Sequence, residues 1–468
     1  MEQKNIRADT NVFVKSKKIS CTRETFCRKI RVITNNWLVL RKNSCMDERF
    51  TAIRRFNLWD GNTPAMGYVR HEYVEKITKY IGNRLVKVIT GQRRSGKSYI
   101  LRQIAGQLAD GGVDVRNILI LNLDLAGFEF VKTDDDLRNI VRLYEEQMKP
   151  EGHIYIFIDE IQNVEGWERF VNAYSQDFTH EYEFFITGSN SRLLSGELAT
   201  MLSGRYVKFE VFPFSFREYA GITGRTADRQ TYLEYMKTGG MPELFNLPDE
   251  EVRRNYVSSL KDTLLLRDII QRYKVSDTRL LEDLFVYVTN NTSKLFSVNS
   301  IVKYYKGIGR KVSFEKISQY LEFMSEAYLI HRVERYNIQG KETIGGVCKY
   351  YSNDLCFRNY LYQGFAHGAG YELENLLYID LRRNGYEVMV GDIRGREVDF
   401  VARRSSRVVY LQSTYMLYDE ATITREYASL EAIHDNYEKY VVSLDEIQLP
   451  SRDGIKHLQA WAVDEVLV

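Results

Sequence analysis

The stretch from Val86 to Leu108 reads VKVITGQRRSGKSYILRQIAGQL: an apolar run, a glycine-bounded basic octet, then apolar residues at helical spacing. No other feature narrows the fold as far. An apolar strand that turns through Gly91-Gln92-Arg93-Arg94-Ser95-Gly96-Lys97-Ser98 into a helix has the form of a P-loop. The glycines let the backbone curl so that successive N–H groups converge on phosphate oxygens, and the helix adds its positive end. Gly91 through Tyr99 are therefore the expected nucleotide contacts, with Lys97 reaching the β/γ-phosphates and Ser98 ligating Mg²⁺. The competing reading is a structural glycine turn.

A second run, His153-Ile154-Tyr155-Ile156-Phe157-Ile158-Asp159-Glu160, is too apolar for a strand with one wet face and ends in two acids. It suits a parallel sheet covered on both sides, whose carboxyl ends form the rim where ligands sit. This is a Walker B pattern: Asp159 is expected to hold Mg²⁺ and Glu160 to polarise the attacking water. Read more plainly, the two acids cap the next helix.

A third strand, Tyr182 to Thr187, runs into Gly188-Ser189-Asn190-Ser191 and brings small polar side chains to the same rim. Asn190, with Ser189 beside it, is the candidate for orienting the lytic water, since a neutral amide both donates and accepts. A capped strand-to-helix turn is the alternative. Arg205, in Leu202-Ser203-Gly204-Arg205-Tyr206 ahead of the strand Val207 to Val211, is a candidate for stabilising transition-state charge, in cis or across a subunit interface. A solvated surface arginine is the other reading.

These residues resemble the bacterial and archaeal AAA-type ATPases of the AAA+ superfamily. In that group the core is followed by a winged-helix-like segment and a carboxy-terminal domain of uncharacterised function. The resemblance spans most of the chain after Met66 and rests on GQRRSGKS, IDEIQ with Trp167 just after, TGSNSRLL, LSGRY, VFPFSFREY and Gly239-Gly240-Met241-Pro242-Glu243. It implies an ATP-dependent conformational machine that works as a homo-oligomer. It names no substrate.

The chain's 468 residues exceed one ordinary core. The reading is an α/β fold: a basic extension over 1–65, a P-loop core with a parallel sheet flanked by helices over 66–225, a helical lid over 226–290, a winged-helix-like segment over 291–345 and a carboxy-terminal α/β domain over 346–468. Lys plus Arg number 65 against 63 Asp plus Glu, so a net charge of +2 implies no global attraction to a polyelectrolyte. No apolar run approaches the ~20 residues a spanning helix needs, so no membrane partner is expected. Five scattered cysteines support neither a zinc site nor a disulfide framework, which fits a cytoplasmic location. The first ~45 residues are rich in Lys and Arg. They read as a basic arm or, more plainly, as a mis-assigned start or poorly ordered extension.

From Arg217 to Lys274 the apolar spacing is helical, with Gly239-Gly240 expected as a hinge. Arg267-Asp268 is either a second nucleotide or subunit contact or an ordinary helix-surface pair. Ser297 to Lys306, a Gly307-Ile308-Gly309 turn, Ser313 to Ala327 and the strand-like Tyr328-Leu329-Ile330 follow the order of a winged helix. Were its second helix to enter a major groove, Lys311, Lys316 and Gln319 would face DNA; the same layout also serves as a protein-contact module. The order after Leu373 resembles the restriction-endonuclease-like PD-(D/E)XK fold. That resemblance implies a metal-binding acid on the helix, another on the second strand and an E-x-K on the third. Glu374 and Asp399 match the first two; Gln412 replaces the glutamate and Thr414 the lysine. Threonine supplies no cation for developing charge, so a nuclease-inactive domain is expected. Arg394, Arg396, Arg403, Arg404 and Arg407 either face a phosphate backbone or form a solvated rim. Two function classes remain: an ATPase acting on DNA or a DNA-associated partner, and a nucleotide switch that recognises a protein.

Overall fold

Strands buried on both faces need helices above and below them, and five such strands form the first sheet. They are β1 (Val86–Thr90), β2 (Ile118–Asn122), β3 (His153–Asp159), β4 (Glu181–Gly188) and β5 (Tyr206–Glu210). All pair in parallel, in the order β2-β3-β4-β1-β5. The computed structural model describes residues 49–194, 202, 204–362 and 368–467. The chain divides into two compact units, Met1–Arg55 and Phe56–Val468. Of the first, residues 49–55 are helical; the basic arm expected at the start of the chain lies outside the described residues.

Around the sheet run α1 (His71–Thr78), α2 (Lys97–Asp110), α3 (Asp134–Met148) and α4 (Trp167–Ser175). The amino end of α3 is explicit in the sequence: Thr133 and Asp136 form a capping box, and three aspartates occupy the first turn. Ile100, Leu101 and Ile104 of α2 pack on Ile89, Phe157 and Phe185. The Phe157 and Phe185 rings stack with centroids 4.5 Å apart. Burying each such ring stabilises the fold by roughly 2–3 kcal/mol.

The expected lid is helical: α5 (Phe216–Thr223), α6 (Arg229–Thr238) and α7 (Glu250–Thr263), which passes into a π-helical stretch over Leu264–Gln271. The glycine pair at the carboxyl end of α6 is pinned. Gly239 has φ +80°, and a Cβ there would lie 2.2 Å from Asp354 Oδ1; one on Gly240 would lie 2.3 Å from the Phe214 carbonyl oxygen. Gly240 N–H donates to Asp354 Oδ2 at 2.7 Å, and its carbonyl accepts from Phe214 N–H at 2.8 Å. Close backbone approach requires glycine here.

Next come α8 (Thr278–Asn290), β6 (Leu295–Phe296), α9 (Val298–Gly307), α10 (Phe314–Glu326) and the antiparallel pair β7 (Ile330–Asn337) and β8 (Glu342–Ser352), with β6 pairing antiparallel to β8. After α11 (Cys356–Leu361) and α12 (Ala369–Arg383) come β9 (Glu387–Ile393), β10 (Arg396–Arg404), β11 (Arg407–Ser413), α13 (Glu420–Glu431), β12 (Glu438–Ser443), β13 (Ile455–Gln459) and the short α14 (Val463–Leu467). One eight-stranded sheet in the order β13-β12-β11-β10-β9-β7-β8-β6 joins the ranges read separately as 291–345 and 346–468, because β7 pairs in parallel with β9. Among the described residues no helix is long and apolar enough to cross a membrane.

Candidate functional site

The phosphate loop leaves β1 at Gly91, whose φ of +145° no side chain tolerates; a Cβ there would sit 2.2 Å from the Val211 carbonyl oxygen. Arg94 at φ 66° and Gly96 at φ 100° complete the curl, and α2 starts at Lys97. The Lys97 ammonium donates to the carbonyls of Gly91 and Gln92, each at 2.9 Å, and lies 3.8 Å from Glu160 Oε1. Burial pushes its pKa down, partly offset by the charges of Glu160 and Asp159.

Asp159, at the carboxyl end of β3, accepts from Thr187 Oγ1 at 2.5 Å, and that hydroxyl accepts the Glu160 N–H at 2.9 Å. Burial, then Glu160, raise the Asp159 pKa, against bonds from the Ser98 and Thr187 hydroxyls. Ser98 and Asp159 are thus together, a hydroxyl and a carboxylate, the oxygen donors a hard divalent cation takes. Glu160 adopts φ 56°, ψ 48°, a left-handed backbone uncommon for a residue with a side chain, and Gln162 Nε2 bonds its carboxylate. In the loop the buried Ser95 Oγ and Gln92 Nε2 have no hydrogen-bond partner. Orphaned buried donors beside an ammonium and helix N-terminus fit a polyphosphate. When bound, Mg²⁺ and the nucleotide would supply the electrophilic phosphorus; Lys97 would hold phosphate oxygens, Ser98 and Asp159 the cation, and Glu160 a water proton.

Asn190 is 3 % exposed. Its Nδ2 donates to Tyr273 Oη at 2.9 Å, and its Oδ1 accepts from Arg192 N–H at 2.7 Å. Tyr273 in turn donates to Glu326 Oε2 at 2.6 Å, and Arg192 pairs with Glu326 at 2.5 Å. The rim residue is thereby tied to the end of α10, through a tyrosine that no spacing in the sequence singles out. Arg93 pairs with Asp268 and with Asp124, both at 3.1 Å, and Arg267 pairs with Asp124 at 3.0 Å. Arg267-Asp268 therefore joins the lid to the loop instead of forming a helix-surface pair.

Arg205 lies elsewhere. Its carbonyl accepts from Val86 N–H, at the amino end of β1, and its guanidinium donates to Asn172 Oδ1 at 3.2 Å. The five-residue length of β1 separates it from the phosphate loop by roughly 15 Å. A role in cis is corrected on that ground: the side chain starts at the opposite rim of the sheet.

The second set of expected residues does converge. Glu374 on α12, Asp399 on β10 and Gln412 on β11 line one cavity of about 690 Å³ with Thr414 and with Lys349 of β8. Lys349 Nζ sits 2.7 Å from Glu374 Oε1 and 2.7 Å from Glu397 Oε1. Tyr351 also donates to Glu374, at 2.7 Å. Burial pushes Glu374 up to about 8, Lys349 pulling it down and Asp399 pushing it further up. Asp399 Oδ2 accepts from Ser413 N and Oγ at 2.8 and 2.7 Å, and Gln412 Nε2 reaches Oδ1 at 3.3 Å. The Lys349 ammonium already bonds Glu374 and Glu397 from the space a divalent cation would need, so this set does not fit the metal that the resemblance implies. The strand-rim arginines are largely engaged: Arg403 over Tyr336, Arg404 over Tyr386 and Arg407 on Glu438.

Lys349, Asn353 and His331 escape sequence reading because each lies on or just after β7 or β8, far in sequence from the motif it touches, and only the pairing of these strands brings them in.

Comparison with known proteins gives a family for part of the chain and relatives over most of it. The family described as an AAA domain matches residues 83–220, and one described as a domain of unknown function matches residues 229–367. An uncharacterized protein of Methanocaldococcus jannaschii is 29% identical over 347 residues, covering 71% of this chain and 73% of that protein. Among solved structures, Cdc6p from Pyrobaculum aerophilum aligns over 62% of this chain and 92% of its own, at 11% identity and TM-score 0.31. The Thermotoga maritima RuvB Holliday junction branch migration motor aligns over 60% and 93%, at 13% and 0.30. An uncharacterized protein of Haemophilus influenzae is 34% identical over 406 residues, 85% of this chain and 98% of that protein. The chain belongs to one family with this Haemophilus influenzae protein, and its P-loop sheet lies in the segment that matches the AAA domain.

Proposed function

We propose that this protein binds ATP with Mg²⁺ and hydrolyses it to drive conformational change. The carrying observation is the joint at the rim of the first sheet. Asp159 accepts from the Thr187 hydroxyl, Ser98 stands close enough to stabilise its charge, Glu160 follows it, and Lys97 lies 3.8 Å from Glu160. Nucleotide binding alone needs the loop and the cation ligands; a second acid beside them is what turnover needs.

The target of that work is DNA or a DNA-associated partner in this proposal. We read the order α8, β6, α9, α10, β7, β8, with β6 pairing to β8, as a winged helix; Gln319 on α10 and Lys311 ahead of it are exposed, which supports that reading. The segment from α12 through β12 we read as a PD-(D/E)XK-like domain reused for binding or assembly, with nuclease chemistry blocked by Lys349. Activity in a homo-oligomer is part of the same proposal.

The test is steady-state ATP turnover by the purified protein with and without single- and double-stranded DNA at low and moderate salt. Stimulation by DNA that fades as salt rises supports the reading, since contacts to phosphate release counterions. Turnover indifferent to DNA assigns the work to a protein partner, and absence of ATP binding removes the proposal.

A further inference from the structure

Backbone amides and Lys97 suffice to hold a polyphosphate, yet the second residue of the loop, Gln92, carries a completely buried amide side chain. Its two ends differ. Oε1 accepts from Asn353 Nδ2 at 2.6 Å, whereas Nε2, also buried, has no partner. Asn353 follows β8 directly, is 3 % exposed, and has its backbone N–H on the Leu329 carbonyl at 3.1 Å. Its Oδ1 lies 2.8 Å from His331 Nε2.

One self-consistent set of donors and acceptors runs through these three side chains. With Asn353 Oδ1 facing His331 Nε2, that ring nitrogen is the one that carries a proton, since an amide oxygen only accepts. With Oδ1 taken, Asn353 presents Nδ2 to the loop. Gln92 must then present Oε1 to Asn353, which turns its two N–H donors away from the eight-stranded sheet. The Gln92 carbonyl meanwhile accepts from Lys97 Nζ at 2.9 Å, so this residue shares the part of the loop served by the ammonium that reaches β/γ-phosphates.

Resting on the ATP-binding reading, we infer that Gln92 Nε2 is a side-chain donor to the terminal phosphate of a nucleoside triphosphate. Asn353 and His331 are then positioning residues that hold the amide N–H-first. The second sheet in this way sets how strongly the loop tells a triphosphate from a diphosphate.

The experiment measures affinities of the full-length chain for ADP and for a non-hydrolysable ATP analogue, both with Mg²⁺. Gln92→Leu removes the donor and is expected to weaken the triphosphate by about tenfold or more, as for a hydrogen bond to a charged group, with ADP changed less than about twofold. Asn353→Asp offers an acceptor where the amide donated, so Gln92 turns its oxygen outward and the same selective loss follows. His331→Leu frees Asn353 and lowers the discrimination, while His331→Gln, which restores an N–H, recovers it. A wild-type ratio of affinities in both Gln92→Leu and Asn353→Asp overturns the inference. So does equal loss of both nucleotides, which marks general damage to the loop; should Asn353→Asp fail to fold, Gln92→Leu and the two His331 variants decide. Lys97→Ala keeps the two readings apart: nucleotide binding that survives it removes the P-loop assignment itself.

Discussion

Two sites in this molecule are built from the same parts, a lysine, two or more acids and a serine, and they are set for opposite ends. At the rim of the first sheet the ammonium of Lys97 rests on neutral carbonyls of Gly91 and Gln92 and stays 3.8 Å from Glu160. Around α12 and β10 the ammonium of Lys349 bonds Glu374 and Glu397 directly, each at 2.7 Å. In the first, cation and carboxylates remain separately available to a ligand; in the second, they satisfy one another. Where the ammonium rests, more than which residues are present, separates a site whose charges remain open to a ligand from one whose charges are paired with one another.

The sharpest way to break that comparison is Lys97→Ala, expected to abolish ATP binding in an equilibrium assay; unchanged affinity would erase the distinction. Glu160→Gln comes next. Keeping size and hydrogen bonding while removing the base, it should bind ATP at near wild-type affinity and turn over roughly 10²–10⁴-fold more slowly. Loss of binding equal to loss of rate would make Glu160 structural.

At the second site the expected loss is one of stability. Lys349→Met leaves Glu374, Glu397 and Asp399 without their common counter-charge and should destabilise the fold by about 3–5 kcal/mol in urea unfolding. Adding Glu374→Gln should recover part of it, because the two changes share one interaction. A Lys349→Met chain as stable as wild type would show that the pair is idle. Calorimetric titration with Mn²⁺ sharpens the point: the wild-type second site should take up none, and gain of a Mn²⁺ site in the variant would show that the lysine stands where a cation fits.

How much of this contrast is legible in the sequence depends on how local each site is. The phosphate loop and Asp159-Glu160 are continuous motifs whose strand and helix context is written beside them, so strand, turn and helix lie where the residues place them. Glu374, Asp399 and Gln412 are reachable only through resemblance in helix and strand order, and they do meet. Lys349 is not reachable, since it lies on a strand that pairs into the second sheet only through β7 and β9. The hinge expected at Gly239-Gly240 shows the same limit. Glycines look alike whether they free a chain or admit a close neighbour, and here Asp354 and Phe214 occupy the space. Arg205 is open to a role in cis on sequence alone because a motif shows residue type but not which end of the sheet a strand starts from.

Smaller still is the effect of pH on the second site. Glu374 sits at about 8 in the fold against an ordinary 4.5, chiefly through burial. Between those values the folded chain holds a proton that the unfolded chain has released, so this group's contribution to stability falls as pH rises through the window. Glu374→Gln should flatten the dependence of the urea midpoint on pH between 5 and 8; an unchanged slope would mean that Lys349 keeps Glu374 ionised throughout.

Arg205→Ala should change least within one subunit. The guanidinium begins at the amino end of β1 and reaches Asn172, a surface interaction worth at most about 1 kcal/mol, so ATP affinity should stay within about twofold of wild type. Its value is as a test of assembly. If Arg205 meets the phosphate loop of a neighbouring subunit, turnover by the Arg205→Ala protein falls while binding does not. Mixing it with Glu160→Gln then restores turnover, because in a mixed ring some interfaces combine an intact Glu160 with an intact Arg205. Turnover that stays at the wild-type level in Arg205→Ala alone confines this arginine to its bond with Asn172 and leaves the first site complete within one chain; a fall that mixing fails to reverse makes its role structural.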